Sequence, residues 1–452
     1  MINQARDFIW GPWMLALFLG MGIFYTVKSG FFQIRGLPVW LKSTIGSLGE
    51  REEGGGITKF QTACTALAAT IGTGNIVGVA TALTAGGPGA IFWMWISAAI
   101  GMMTAYGETA LGIRYRYRDE NGQWVCGPMV YLERGMKKQW LALAYSLLCV
   151  IVSLGMGTMV QSNSIAETMS YSFQVPPGLS AILLTGCVFL VISGGIKRIA
   201  GVSERLIPWA AGIYIFFSLT VILSCYDRLP YVLETVFRDA FSLKQAAAGA
   251  AGYGISRSMQ YGVARGVFSH EAGLGSMAVL HGAAENTTPQ QQGMWAMFEV
   301  FFDTILICTM TALVILCMTG ADPASSGYDG AALTARCFAG RLGGLGEIFV
   351  SAMMVLFAFA TIIAWYYLGK QAAGHLTDFL KKRGICYGIQ VMIGDTGYLF
   401  LYLAAVFAGA LLRLETVWAF SDIWNGLMAL PNLAALMVLS GQVIFPRNTD
   451  KK

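Results

Sequence analysis

The sequence predicts an all-α membrane protein of eleven transmembrane helices, one N-terminal helix followed by two groups of five in inverted orientation. Three observations carry that prediction: the composition, the spacing of the apolar runs and the side on which the basic residues fall. Of 452 residues, 56% are hydrophobic and 12% charged, against roughly 25% charged in a soluble domain. A water-soluble fold of this length needs more polar surface than these residues supply. The apolar runs therefore face lipid or one another, in a single membrane domain over 1–452 with no soluble domain beside it.

A bilayer core takes roughly 20 apolar residues per helix. On that rule spans lie near 10–27, 60–84, 88–113, 141–170, 178–195, 206–225, 245–282, 293–319, 346–369, 391–411 and 421–445. The first has no small-residue cleavage site after it and reads as a retained span rather than a signal peptide. The seventh is too long for one simple helix and rich in glycine around Gly252 to Gly275, so a break or an added half-helix is expected there.

The loops test the count. Segments after the odd-numbered spans carry 21 Lys and Arg, and the N-terminal tail with the segments after the even spans carries 7, leaving Arg257 and Arg265 inside the seventh region. Basic residues concentrate on the cytoplasmic side. The N-terminus is then outside and the C-terminus cytoplasmic, in the cell (inner) membrane. After the extra helix at 10–27 come a first repeat at 60–225 and a second at 245–445. Each group of five crosses an odd number of times, so the two have opposite orientation. The first opens on a helix interrupted at Gly72 to Gly78 and the second on the interrupted region up to Gly275. Paired broken helices opening two inverted halves point to the binding site of a secondary transporter.

Other classes are excluded on the same residues. The net charge of +5 comes with no basic block, so no nucleic-acid partner is expected. The nine cysteines are odd in number and lack a C-x-x-C, which argues against a disulfide framework or structural zinc and for small buried hydrophobes. His270-Glu271 with His281 does not have the H-E-x-x-H spacing of a metal site. No obligate protein partner is evident.

Ala68 to Gly78 lies in the middle of an apolar span and contains Gly72-Thr73-Gly74-Asn75. Unwound backbone survives in a membrane only where it is buried in protein or lines a cavity. There it offers amides, at the positive end of a helix dipole, to a carboxylate, and carbonyls to Na⁺ or an ammonium group. A zwitterion with a co-transported cation fits both ends. Close helix packing is the plain alternative, because Gly74 and Gly78 also form a G-x-x-x-G pair. A Rossmann turn is a poor match, since no strand precedes it and the spacing to Gly78 is one residue too long. The second candidate, Arg265 to Ser276, brings charges, three glycines and a serine where a smooth helix should end. By itself it also reads as a solvated cap.

At these two stretches the sequence resembles the alanine/glycine:cation symporter family. The resemblance rests on Thr65 to Ala82, on Gly86-Gly87-Pro88-Gly89-Ala90-Ile91-Phe92-Trp93-Met94-Trp95, and on Gly262 to Ser269 with Glu271-Ala272-Gly273-Leu274-Gly275-Ser276. It extends from the first helix to the last. Gly74-Asn75-x-Val77-Gly78 is also similar to the unwound first core helix of LeuT-type sodium symporters, which implies a LeuT-type five-plus-five inverted repeat preceded by one extra helix. The resemblance further implies alanine, glycine or a similar small amino acid as substrate, Na⁺ as the co-transported ion and no organic cofactor. It implies a pocket of Thr73, Gly74 and Asn75 on the broken helix, Gln161 on a long tilted helix, Phe268 and Gly273 on the second break, and Thr361 and Trp365 on a later helix. Gly74, Val77 and Thr361 are the implied Na⁺ ligands. Where the family has asparagine after Phe-Ser, this chain has His270, which could alter pH dependence or cation choice or be neutral.

The residues themselves carry unequal weight. Gln161 is an amide in an apolar helix, able to meet both ends of a zwitterion, but interhelical hydrogen bonding explains it equally. Thr361 commonly would bond its own i−4 carbonyl. Phe268 and Trp365 could bound a cavity for a methyl side chain or simply pack. Glu108, Glu167, Glu299 and Asp303 lie within or near spans and should face the interior, paired for instance with Arg257 or serving proton coupling. The leading expectation is Na⁺-driven import of alanine or glycine by alternating access. An H⁺-coupled carrier is the alternative. A membrane enzyme lacks a Ser/His, aspartate-pair or zinc constellation, and a channel lacks a filter or charged ring.

Overall fold

The computed structural model describes residues 2–48, 56–120, 122–241, 257–384, 387–412 and 414–446. They are helical nearly throughout. Among them the one sheet is a two-stranded antiparallel ribbon, Tyr117–Arg118 with Trp124–Val125, in which Tyr117 pairs with Val125 and Arg118 with Trp124. Arg116 and Arg118 lie over the Trp124 ring at 3.9 and 4.7 Å, fixing the ribbon against the helix before it.

Among the described residues, seven helices are long and apolar enough to cross a bilayer: Gln4–Lys28, Gly89–Tyr115, Gln139–Phe173, Gly195–Leu223, Pro289–Thr319, Gly344–Arg383 and Ser421–Gln442. The pair Lys59–Thr70 and Gly74–Gly86, bent by 50° at its break, is long and apolar enough to make an eighth if it forms one broken span. At the other positions read as spans stand two shorter apolar helices, Pro177–Ile192 and Asp395–Leu411, and the pair Arg257–His270 and Ser276–His281. The start of that seventh region, 245–256 with Gly252, lies outside the described residues.

Local chemistry sets these boundaries. Thr58 and Gln61 form a reciprocal capping box at the start of the broken helix, and Thr288 and Gln291 do the same ahead of Pro289. Gly87, at φ +78°, ends the second half of the broken helix in a conformation other residues avoid. Gly344–Arg383 has 72% of its apolar window buried and runs through the centre, whereas Gly195–Leu223 has 39% and lies at the periphery. Trp209, Phe216 and Leu223 on the latter, with Ile182 and Leu190 on its neighbour, form an exposed apolar face suited to lipid.

Small residues bring helices close where the core needs it. A Cβ at Gly262 would stand 2.3 Å from the Ala90 carbonyl oxygen, and one at Gly266 2.3 Å from Ser97 Oγ. The Arg257–His270 helix therefore lies almost backbone to backbone on Gly89–Tyr115. Eight described cysteines are free, and all but Cys187 are buried; Cys386 lies outside the described residues. Three helices widen into π turns, at Gly74–Gly78, Gly155–Val160 and Phe301–Cys308. Such turns concentrate at functional sites, and these three flank one polar centre.

Candidate functional site

Helix Lys59–Thr70 stops because Ile71 turns to an extended conformation, ψ 94°. The freed Gly72 N–H donates to Asn75 Oδ1 at 2.9 Å, so the break is closed by its own side chain. The Asn75 Nδ2 then donates to Asp303 Oδ1 at 2.6 Å. A carboxamide accepts at its oxygen and donates at its nitrogen, so one side chain serves both partners. Ser269 Oγ and Thr304 Oγ1 donate to the other oxygen of Asp303 at 2.7 and 2.8 Å. Asp303 is fully buried, and three donors from three segments replace water around it. Thr311 Oγ1 holds the Asn75 carbonyl at 2.8 Å, anchoring the widened turn to the same helix as Asp303.

Opposite stand two long helices. Gln161 follows the Gly155–Val160 turn and accepts from the Thr73 N–H at 3.4 Å, while its own Nε2 donates to the Met156 carbonyl. Thr361 Oγ1 donates to Phe357 O at 3.1 Å, the expected i−4 bond, and reaches Ile71 O at 3.4 Å. A Cβ at Gly72 would meet that hydroxyl at 2.6 Å. Gly157 packs on Trp365 so closely that a Cβ would lie 2.5 Å from the indole. Thr73 Oγ1 and Trp365 Nε1 are buried donors without a hydrogen-bond partner among the described residues, which leaves both free to meet a polar ligand.

The second break runs from His270 to Ser276, with Glu271, Gly273 and Gly275 at φ +53°, +94° and +88°. Phe268, just before it, packs on Gly74 and stacks on Trp418 at 5.4 Å. Gly273 and Gly275 donate their N–H groups to Glu108 Oε2 at 2.9 and 3.3 Å, and Asn432 Nδ2 joins at 3.1 Å. His270 Nδ1 accepts the Ala272 N–H at 3.1 Å, so the remaining proton sits on Nε2, facing Ser97 Oγ at 3.3 Å. The buried imidazole is thus a neutral strut of the break.

Beyond Phe268, the Arg265 guanidinium lies 5.7 Å from the Phe268 and Trp418 rings and 3.7 Å from Asp422. This layer floors an open cavity of about 580 Å³ lined also by Val77, Thr81, Glu167 and Asp329.

The predicted residues Thr73, Gly74, Asn75, Gln161, Phe268 and Thr361 thus meet around the first break, with Trp365 one turn along on the Thr361 helix. Val77 lines the cavity and touches Gly330 rather than the centre. Gly273 contacts Glu108, Asn432 and Phe18, none of them on the first break. Pairing of the buried carboxylates with Arg257 is not found: Arg257 is exposed at its helix start and Glu167 is exposed in the cavity. Asp303 is held by neutral donors and Glu108 by amides, while Glu299 meets His281 at 3.0 Å and Thr70 at 3.3 Å. Ser269, Thr304, Thr311 and Trp418 were missed, as hydroxyls and rings abound in apolar helices. Asp303 carried a legible signal as a carboxylate inside a span.

Comparison with known proteins gives this arrangement its class. The profile of the sodium:alanine symporter family matches residues 1–448. An uncharacterized transporter of Haemophilus influenzae is 42% identical over 98% of this chain and 94% of its own length. The sodium/alanine symporter AgcS of Methanococcus maripaludis is 38% identical, covering 98% of this chain and 95% of that protein. Among solved structures, a Na⁺-coupled sialic acid symporter in a substrate-bound outward-open state superposes with a TM-score of 0.56 at 13% identity, over 97% of this chain and 86% of that one. That likeness speaks to the fold.

Two broken helices meeting at a buried polar centre, within this fold, define a multi-pass membrane transporter of LeuT type and not an enzyme. The chain belongs to the sodium:alanine symporter family.

Proposed function

We propose that the protein is a Na⁺-coupled symporter that imports a small neutral amino acid, alanine or glycine, by alternating access. The observation that carries this reading is the buried, unwound Ile71–Thr73 segment. It brings an unpartnered Thr73 hydroxyl and the Gln161 amide to the start of the Gly74–Gly86 half-helix. Amides and hydroxyl there suit a substrate carboxylate at the positive end of the helix dipole. The close packing of Gly72 on Thr361 and of Gly157 on Trp365 favours a substrate with a small side chain. The name of the Methanococcus relative, a sodium/alanine symporter, supports the same substrate.

In this reading Thr73, Gly74, Asn75, Gln161, Phe268, Thr361 and Trp365 surround the amino acid, and Gly273 shapes the second break beside them. Gly74, Val77 and Thr361 offer oxygens to Na⁺. The short helices Pro177–Ile192 and Asp395–Leu411 and the second broken pair complete eleven crossings. Residues 60–225 and 245–445 form the inverted repeats that rock about the fixed site. With the N-terminus outside, as the charge asymmetry suggests, the cavity above Arg265 and Trp418 faces outward.

Uptake of labelled alanine into proteoliposomes under an imposed Na⁺ gradient tests this. Uptake should accumulate, saturate and be competed by glycine. Accumulation driven equally well without Na⁺ would reject the assigned ion. The buried His281–Glu299 pair favours an H⁺-coupled carrier as the second reading, and uptake following an imposed pH gradient alone would select it. As a site test, Gln161→Ala removes an uncharged amide facing a carboxylate, worth about 1.5–3 kcal/mol. Alanine affinity should fall roughly 10–100-fold with an unchanged unfolding temperature. Unaltered affinity would take Gln161 out of the pocket.

A further inference from the structure

Glu271 stands apart from the other buried carboxylates. Asp303 is surrounded by donors, Glu108 by backbone amides, and Glu299 by His281 and Thr70. Both oxygens of Glu271 are buried with no hydrogen-bond partner among the described residues. The Ser276 hydroxyl and the Trp365 indole N–H, both buried, face it without reaching well-formed hydrogen-bond geometry. A buried carboxylate is held either by an opposite charge or by full hydrogen bonding, and two loosely placed donors supply neither. Glu299 and Asp303 add their negative field at the same place. The side chain also sits in the unwound segment at φ +53°, a conformation non-glycine residues seldom adopt outside functional turns.

The position matters as much as the charge. Glu271 lies three residues past Phe268, which packs on Gly74, and it faces Trp365, which packs on Gly157. It therefore belongs to the same centre as the first break. We propose that Glu271, with Ser276 Oγ as a second oxygen ligand and Trp365 Nε1 orienting the carboxylate, binds a monovalent cation. That cation is either the α-ammonium of the amino acid or the free co-transported ion. The inference rests on the carrier reading above and names a cation ligand outside the set Gly74, Val77 and Thr361. Ser276 lies at the start of the next helix, with its hydroxyl turned to the carboxylate, so cation binding would fasten the two sides of the second break together. An oxygen pair of this kind suits Na⁺ or an ammonium group.

The test uses the purified full chain in lipid nanodiscs and compares wild type, Glu271→Gln and Ser276→Ala. Na⁺ affinity is read without amino acid from the Na⁺-dependent rise in unfolding temperature. Alanine affinity is read by calorimetry at saturating Na⁺, with propionate as the probe lacking the ammonium. If the free ion is the ligand, Glu271→Gln weakens Na⁺ affinity at least about 10-fold and Ser276→Ala several-fold less. If the ammonium is the ligand, Na⁺ affinity is kept, alanine affinity falls by a similar factor and any propionate binding is unaffected. Should Glu271→Gln fail to fold, Ser276→Ala decides by the same two readouts. Na⁺ and alanine affinities both within 2-fold of wild type in the folded variants overturn the proposal and leave the carrier reading intact. A wild type that responds to neither Na⁺ nor alanine overturns both.

Discussion

Asn75→Ala is expected to bring uptake to background in proteoliposomes, the largest loss of any single substitution around the first break. The amide closes the break through the Gly72 N–H and makes the shortest contact to buried Asp303. Alanine releases both, leaving an orphaned N–H and a carboxylate short of one donor. Stripping a partner from a buried charge costs about 3–5 kcal/mol, and none of it is recovered from water at this depth. Asn75→Asp should be as inactive, because a carboxylate cannot donate to Asp303 and two acids would then share one site. The measurement is initial rate normalised to folded, reconstituted protein. An Asn75→Ala variant transporting within a few-fold of wild type would show that the Asn75–Asp303 bond does not organise the site.

The second large effect is expected at Gly157. Its Cα faces the Trp365 ring, and even one added carbon would stand 2.5 Å from Cβ and Cγ of that residue. Trp365 is fully buried and has nowhere to retreat. Gly157→Val should drive the indole into the space between the breaks, abolishing alanine binding and lowering stability by about 1–3 kcal/mol, the range for overpacking a core. Calorimetry and thermal unfolding read the two losses separately. Retained alanine affinity would mean that Trp365 does not bound the pocket. Gly157→Ala, with a smaller intrusion, should lie between wild type and the valine variant on both scales.

How much of this was legible in the amino acids differs from place to place. The broken helix at Gly72 could be read because glycines and a polar Thr-Asn pair inside an apolar run violate the ordinary pattern of a span. The helix positions could be read because lipid imposes a length. Asp303 and Glu299 stand out as charges at depth, but their partners do not, since Asn75 and Ser269 reach Asp303, and Thr70 reaches Glu299, from other segments of the chain. Arg257 is the partner the sequence suggests for them, and the fold places it at an exposed helix start. Gly273 shows the same limit from the other side. Its motif marks an important turn, while the amide it frees is committed to Glu108. Side-chain orientation across helices is decided by packing, and a linear pattern does not encode it.

The seam between Arg257–His270 and Gly89–Tyr115 has a mechanical meaning. With Gly262 and Gly266 pressed on Ala90 and Ser97, there is less than a methyl group of clearance, and any sliding or rotation would collide at once. The two helices are geared to each other and can travel only as one lever. Any bending is then left to the joints at their ends, Gly86-Gly87 on one side and the His270–Ser276 break on the other.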